Sequence, residues 1–236
     1  MLLHLPTSVS EVQQHTAEGA LPIGGATLAW ATYQRDGFPD HVMSLRNLPE
    51  ANTLGPEVLG AAVLLARIDD RVPEVLRRAA GSIGTGAVRR AATVGGNIVG
   101  STLRCLLPAA LVLNARATVL DSAGVYETDL TELLAKRPVL LSIGWRTPLT
   151  SGYFKQEADA GGPPPFVVAT AVHAGSDGTR QLRLAVRDGY EFLTASADHD
   201  GDVDAVLAAV EATDIGALPL DLRDVVRAQI MEVLNR

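Results

Sequence analysis

Two glycine pairs, Gly24-Gly25 and Gly95-Gly96, constrain this chain more than any other feature. Each sits behind an apolar lead-in and removes side chains where a backbone must come close to something else. Glycine reaches φ > 0 at little cost, so successive N–H groups at such a turn can point into one concavity and hold phosphate oxygens. In Ala91-Ala92-Thr93-Val94-Gly95-Gly96-Asn97-Ile98 the glycines are followed by Asn97, whose side chain can satisfy the turn and donate outward. In Ile23-Gly24-Gly25-Ala26-Thr27-Leu28 a hydroxyl follows two residues later. One Gly-Gly pair after a strand is more often only a tight turn. Two of them, about seventy residues apart in the same chain, suggest a dinucleotide held by both.

Composition narrows the class. Of 236 residues 47% are apolar but only 4% aromatic, so the chain can bury a large core built from aliphatic side chains. A formal charge of −7 with scattered arginines argues against nucleic acid as a partner. The single cysteine, Cys105, rules out an intrachain disulfide and a cysteine-built iron–sulfur or zinc site in this chain, and fits a reducing compartment. It reads as a buried thiol at the start of an apolar helix. Met1 to Pro6 has no basic region and is broken by Pro6, so it reads as a first strand rather than a signal peptide. With no apolar run near the roughly 18 residues of a membrane span, a soluble cytoplasmic protein is expected. His4, His15, His41, His173 and His199 show no ligand spacing, and none is assigned to a metal. Asp198 to Asp204 reads as a solvated acidic turn with a helix N-cap. No general acid or base is assigned.

The periodicity predicts a strand over 2–5, a helix entered at Thr7-Ser8 and running to about Glu18, a strand over 20–23 and another over 41–45. Further along come helices over 73–80 and 106–113, a strand over 117–121 turning through Ser122-Ala123-Gly124, and an edge strand over 139–145. Asp159-Ala160-Gly161-Gly162-Pro163-Pro164-Pro165 marks a linker. Beyond it, two strands (166–174 and 180–187) around a Gly175–Gly178 turn precede two helices (203–212 and 220–234), the pattern of a small α+β domain.

With these motifs in order, the chain resembles the FAD-binding medium subunit or domain of the molybdenum hydroxylases, the family of xanthine dehydrogenase and aerobic carbon monoxide dehydrogenase. Val88 to Ile98 is similar to that family's V-R-N-x-A-T-x-G-G-N-[IL] signature, with Arg90 where the family has Asn. Pro22 to Leu28 is similar to its A-G-G-T-[DS]-L loop, with Ala26 in place of Thr. Leu140-Leu141-Ser142-Ile143 and Tyr153-Phe154-Lys155-Gln156 resemble its L-L-S-I and F-K-Q stretches. An acid that the family carries about nine residues after the Asn is missing between Thr102 and Leu106.

The resemblance implies an α+β fold with two small α/β FAD-binding subdomains of the PCMH type, residues 1–52 and 53–150. A C-terminal α+β domain with an antiparallel sheet, 151–236, follows. It implies FAD as cofactor. Ile23, Gly24, Gly25, Ala26, Thr27 and Leu28, with Thr93, Gly95, Gly96 and Asn97, would hold the pyrophosphate, Ile83 the adenine, and Leu140 the flavin ring, with Lys155 near flavin or phosphate. It further implies an oxidoreductase that passes electrons with a molybdenum-binding large subunit and an iron–sulfur small subunit, using a small-molecule substrate or NAD. The lost acid keeps two other expectations open: a stand-alone flavoenzyme acting on a small organic substrate, and a scaffold that binds no flavin.

Overall fold

The computed structural model describes residues 1–157, 162–175 and 178–236. Along the first part of the chain run β1 (Leu2–His4), α1 (Val9–Ala17), β2 (Leu21–Pro22), α2 (Ala29–Asp36), β3 (His41–Met43), β4 (Leu54–Gly55), β5 (Val58–Gly60), α3 (Glu74–Gly81), α4 (Gly86–Arg89) and α5 (Leu107–Val112). Then come β6 (Arg116–Asp121), β7 (Gly124–Thr128), α6 (Leu130–Lys136), β8 (Val139–Gly144), β9 (Thr150–Lys155), β10 (Val167–Ala174), β11 (Arg180–Asp188), β12 (Glu191–His199), α7 (Val203–Glu211) and α8 (Leu220–Leu234). The chain divides into two compact units. One holds residues 1–72, 83–106 and 115–145; the other holds 73–82, 107–114 and 146–236.

In the first unit, a three-stranded parallel sheet in the order β1-β3-β2 carries α1 as its crossover. Ser8 starts α1 by accepting the Glu11 amide, and the Glu11 carboxylate reaches back to the Thr7 amide at 2.7 Å, a reciprocal cap that fixes where the helix begins. A five-stranded antiparallel sheet, order β4-β5-β8-β6-β7, forms the rest. Val12, Met43, Leu45 and Leu48 pack with Leu120, Val139 and Leu141, so the parallel sheet and the five-stranded sheet share a core. Removing such side chains from water contributes about 1.5–3 kcal/mol each.

β8 corrects the expectation of an edge strand over 139–145, because it lies in the middle of its sheet between β5 and β6. Its near-continuous apolar run, Val139-Leu140-Leu141, belongs to a strand covered on both faces. α2 was not expected. It buries none of its side chains, and Trp30, Tyr33 and Phe38 instead gather on its exposed side with Trp30 and Phe38 rings 5.2 Å apart. The histidines without ligand spacing meet in space: His4 Nε2 lies 3.1 Å from His41 Nδ1, and the His15 ring sits 4.0 Å from that of His4. Among the described residues no group of three or more His, Cys, Asp or Glu is arranged to hold a metal.

In the second unit, β12-β11-β10-β9 form an antiparallel sheet of four strands rather than the two read from sequence. The outer strands leave little mark in the sequence because Glu191–His199 alternates with small polar residues and Thr150–Lys155 opens on Thr, Ser and Gly. One face, through Val168, Leu182, Leu184 and Val186, packs on Val206, Val210, Val226 and Ile230 of α7 and α8. Asp202 caps α7 through the Ala205 amide, as the acidic turn predicted. Asp159, Ala160 and Gly161 of the linker, and Ser176-Asp177 of the expected turn, lie outside the described residues. Among the described residues no helix is long and apolar enough to cross a membrane.

Candidate functional site

The two glycine turns touch. A Cβ built on Gly24 would stand 2.3 Å from Thr93 Oγ1, and one on Gly25 would stand 1.8 Å from the Ala91 carbonyl oxygen. No side chain fits in either gap. Both glycines are therefore needed where one backbone crosses the other, and the structure brings 23–28 and 91–97 together within one unit.

The first turn is open to a ligand. Ile23 donates its amide to the Met43 carbonyl at 2.8 Å, but the amides of Gly24, Gly25, Ala26, Thr27 and Leu28 donate to no acceptor among the described residues. Ala26 adopts a left-handed φ of 53°, unusual for alanine, which alternates the chain direction as in backbone nests that hold anions. α2 begins immediately afterwards with no side-chain cap, so the positive end of its dipole adjoins this run of amides, although its Trp30 amide is taken by the Ala26 carbonyl at 3.0 Å. The Thr27 hydroxyl, exposed and unbonded, adds one more donor.

The second turn differs from expectation. Val94 donates to the Val63 carbonyl, Gly95 to the Ala61 carbonyl, Gly96 to Thr93 Oγ1 and Asn97 to the Thr93 carbonyl. These four amides are spent inside the protein, so this turn does not supply a backbone cradle. Its donors are side chains. Thr93 Oγ1 accepts Gly96 and donates to no acceptor among the described residues, and Asn97 Oδ1 accepts the Leu106 amide at 2.8 Å, which leaves Nδ2 without an acceptor among those residues. Gly96–Gly100 is a single π-helical turn, a form that often marks functional sites, and it buries Asn97 and Ile98.

Of the remaining predicted residues, Ile83 and Leu140 belong to the same unit and are buried, 8% and 5% exposed. Arg89 donates to the carbonyls of Ile83 (3.0 Å) and Gly84 (2.8 Å) and so fixes the loop that presents Ile83. Lys155 belongs to the second unit, where its ammonium donates to the Ser82 carbonyl at 2.7 Å while Tyr153 bonds the Ser82 hydroxyl at 3.2 Å. Cys105 is buried, as expected. What the sequence hid is the free run of amides extending past the glycines to Leu28, because nothing in the residue types announces a missing acceptor.

Against this geometry, the profile of a family described as the FAD binding domain in molybdopterin dehydrogenase matches residues 2–214. The chain belongs to this family. It is a FAD-binding domain of the molybdenum hydroxylase type, and its cofactor is FAD. The fold is that of solved relatives of low identity. Quinoline 2-oxidoreductase from Pseudomonas putida 86 is 19% identical, with 98% of this chain and 94% of that chain covered and a TM-score of 0.69. A reconstituted CO dehydrogenase from Oligotropha carboxidovorans is 17% identical over 99% and 96%, with a TM-score of 0.73. The CO dehydrogenase from Hydrogenophaga pseudoflava that lacks the Mo-pyranopterin moiety is 18% identical over 99% and 95%, TM-score 0.70. Among curated proteins none matches the sequence. The residues present fit the cofactor: an oxygen-rich diphosphate is the ligand that a run of unbonded amides, two free hydroxyls and a free carboxamide NH₂ can satisfy.

Proposed function

We propose that FAD is held noncovalently with its pyrophosphate on the amides of Gly24 to Leu28, and that Thr27, Thr93 and Asn97 Nδ2 add side-chain donors. The observation that carries this reading is the contact of the two glycine turns beside five unbonded amides. Gly95 and Gly96 act by letting the turn close: a Cβ on Gly95 would stand 3.0 Å from Ala61 Cβ. Ile83 offers an apolar surface to the adenine, and Leu140 packs on the flavin ring. When bound, FAD supplies reversible electron uptake and release, while the chain sets its position and potential. The division into 1–52, 53–150 and 151–236 belongs to the same reading, and each segment carries one of the three sheets, Thr150 of β9 aside.

The chain's one cysteine cannot build an iron–sulfur cluster, so any cluster that exchanges electrons with the flavin is bound by residues outside this sequence. We therefore read it as the flavin subunit of an oxidoreductase in the cytoplasm, working with a molybdenum-binding large subunit and an iron–sulfur small subunit and delivering electrons to NAD or another small acceptor. The test is affinity purification from the native host followed by metal and flavin analysis. Molybdenum, iron and FAD in fixed proportion are expected. FAD alone, with turnover of an organic substrate by the isolated chain, would replace this assembly with a stand-alone flavoenzyme.

A further inference from the structure

We propose that Arg104 is an anion-binding residue of this chain that pairs with the pyrophosphate of FAD; the proposal rests on the FAD reading above. Arg104 adopts a left-handed φ of 40°, a conformation that a non-glycine residue keeps only where its surroundings hold it. Its Nε is buried without an acceptor, and among the described residues neither Nη makes a hydrogen bond or ion pair. A buried guanidinium N–H without an acceptor carries a cost. An oxygen-bearing anion that arrives with the ligand removes that cost.

The loop carrying Arg104 is tied to the site. Leu106, two residues on, donates its amide to Asn97 Oδ1 at 2.8 Å, and Ser101 Oγ accepts the Leu103 amide at 3.2 Å, so the loop is clamped at both ends. Asn97 is bonded in turn to the Thr93 carbonyl, and Thr93 lies against Gly24. The donors of the two turns are neutral, and Arg89 is committed to the carbonyls of Ile83 and Gly84. Arg104 thus brings a positive charge that the turns lack. Pyrophosphate is the permanent charge on FAD, and a planar guanidinium matches phosphate oxygens in pairs.

The test is calorimetric titration of apoprotein with FAD, and with ADP, which keeps the pyrophosphate and has no flavin, at low and high salt. R104Q should weaken both ligands by the same factor, about 10- to 100-fold, and flatten the salt dependence. R104K, which keeps the charge and gives up the fork, should fall between, and carries the test alone if R104Q does not fold. Unchanged FAD affinity in the variants overturns the proposal. So does a loss of FAD affinity without a matching loss for ADP, which would place Arg104 at the flavin or give it only a structural role. Wild-type protein that binds neither ligand would sink the FAD reading itself.

Discussion

Gly25→Ala is the sharpest perturbation of the site. The new methyl would lie 1.8 Å from the Ala91 carbonyl oxygen and 2.3 Å from its carbon, whereas ordinary contact begins near 3.4 Å. One turn must therefore retreat by about 1.5 Å, and because the obstacle is backbone no rotamer change can absorb the shift. Overpacking of this kind costs about 1–3 kcal/mol, equivalent to a fall of about 2–12 °C in melting temperature for a chain of this size. Binding should suffer more. If the retreat takes one amide of the Gly24–Leu28 run out of reach of phosphate, about 1.5–3 kcal/mol is lost, or about 10- to 100-fold in FAD affinity. Gly100→Ala serves as the control, since nothing lies within 4 Å of its Cβ position. Fluorescence titration with FAD beside thermal melts of the three proteins provides the measurement. A folded Gly25→Ala protein that binds FAD within twofold of wild type would refute the claim that close approach of the turns builds the site.

Asn97→Leu leaves the Leu106 amide unpaired and removes the Nδ2 donor, so it should lower stability by about 1–3 kcal/mol and weaken FAD; a denaturant melt unchanged from wild type contradicts the structural half. Gly152→Ala should destabilise the second unit by about 1–3 kcal/mol, because its methyl would stand 2.5 Å from Gln229 Nε2 and 2.6 Å from Val233 Cγ2 of α8, and protease susceptibility of α8 reads the effect. Burial lowers the pKa of His173 from its ordinary 6.5, against the opposing bond from its ring to the Val112 carbonyl. The unfolded chain therefore takes up this proton first: the stability is complete above about pH 6.5 and is lost as pH falls from there through the lowered folded value. His173→Gln should lose less stability than wild type between pH 7 and 5, and an equal or larger loss would show that His173 does not drive the acid sensitivity.

The features legible in the sequence share a cause. Gly24, Gly25, Gly95 and Gly96 stand out because steric exclusion leaves a mark in residue type, and the Ser8 and Asp202 caps do so because a side-chain oxygen must sit at one position. What stayed hidden depends on partners far along the chain. β8 reads as a strand from its apolar run, but its central place is decided by pairing with β5 and β6. The Thr93–Asn97 turn looks like a cradle until Val63 and Ala61 are seen to take its amides. His4, His15 and His41 look unrelated until two strands and a helix bring them within contact. Arg104 passes for an ordinary surface arginine, because an absent acceptor has no sequence signature.

The most direct test of the account is the visible absorption spectrum of the purified chain after incubation with excess FAD and removal of unbound cofactor. The account predicts a flavin spectrum with one FAD per chain, retained by wild type and depleted in Gly25→Ala. Folded wild-type protein that emerges colourless would contradict it.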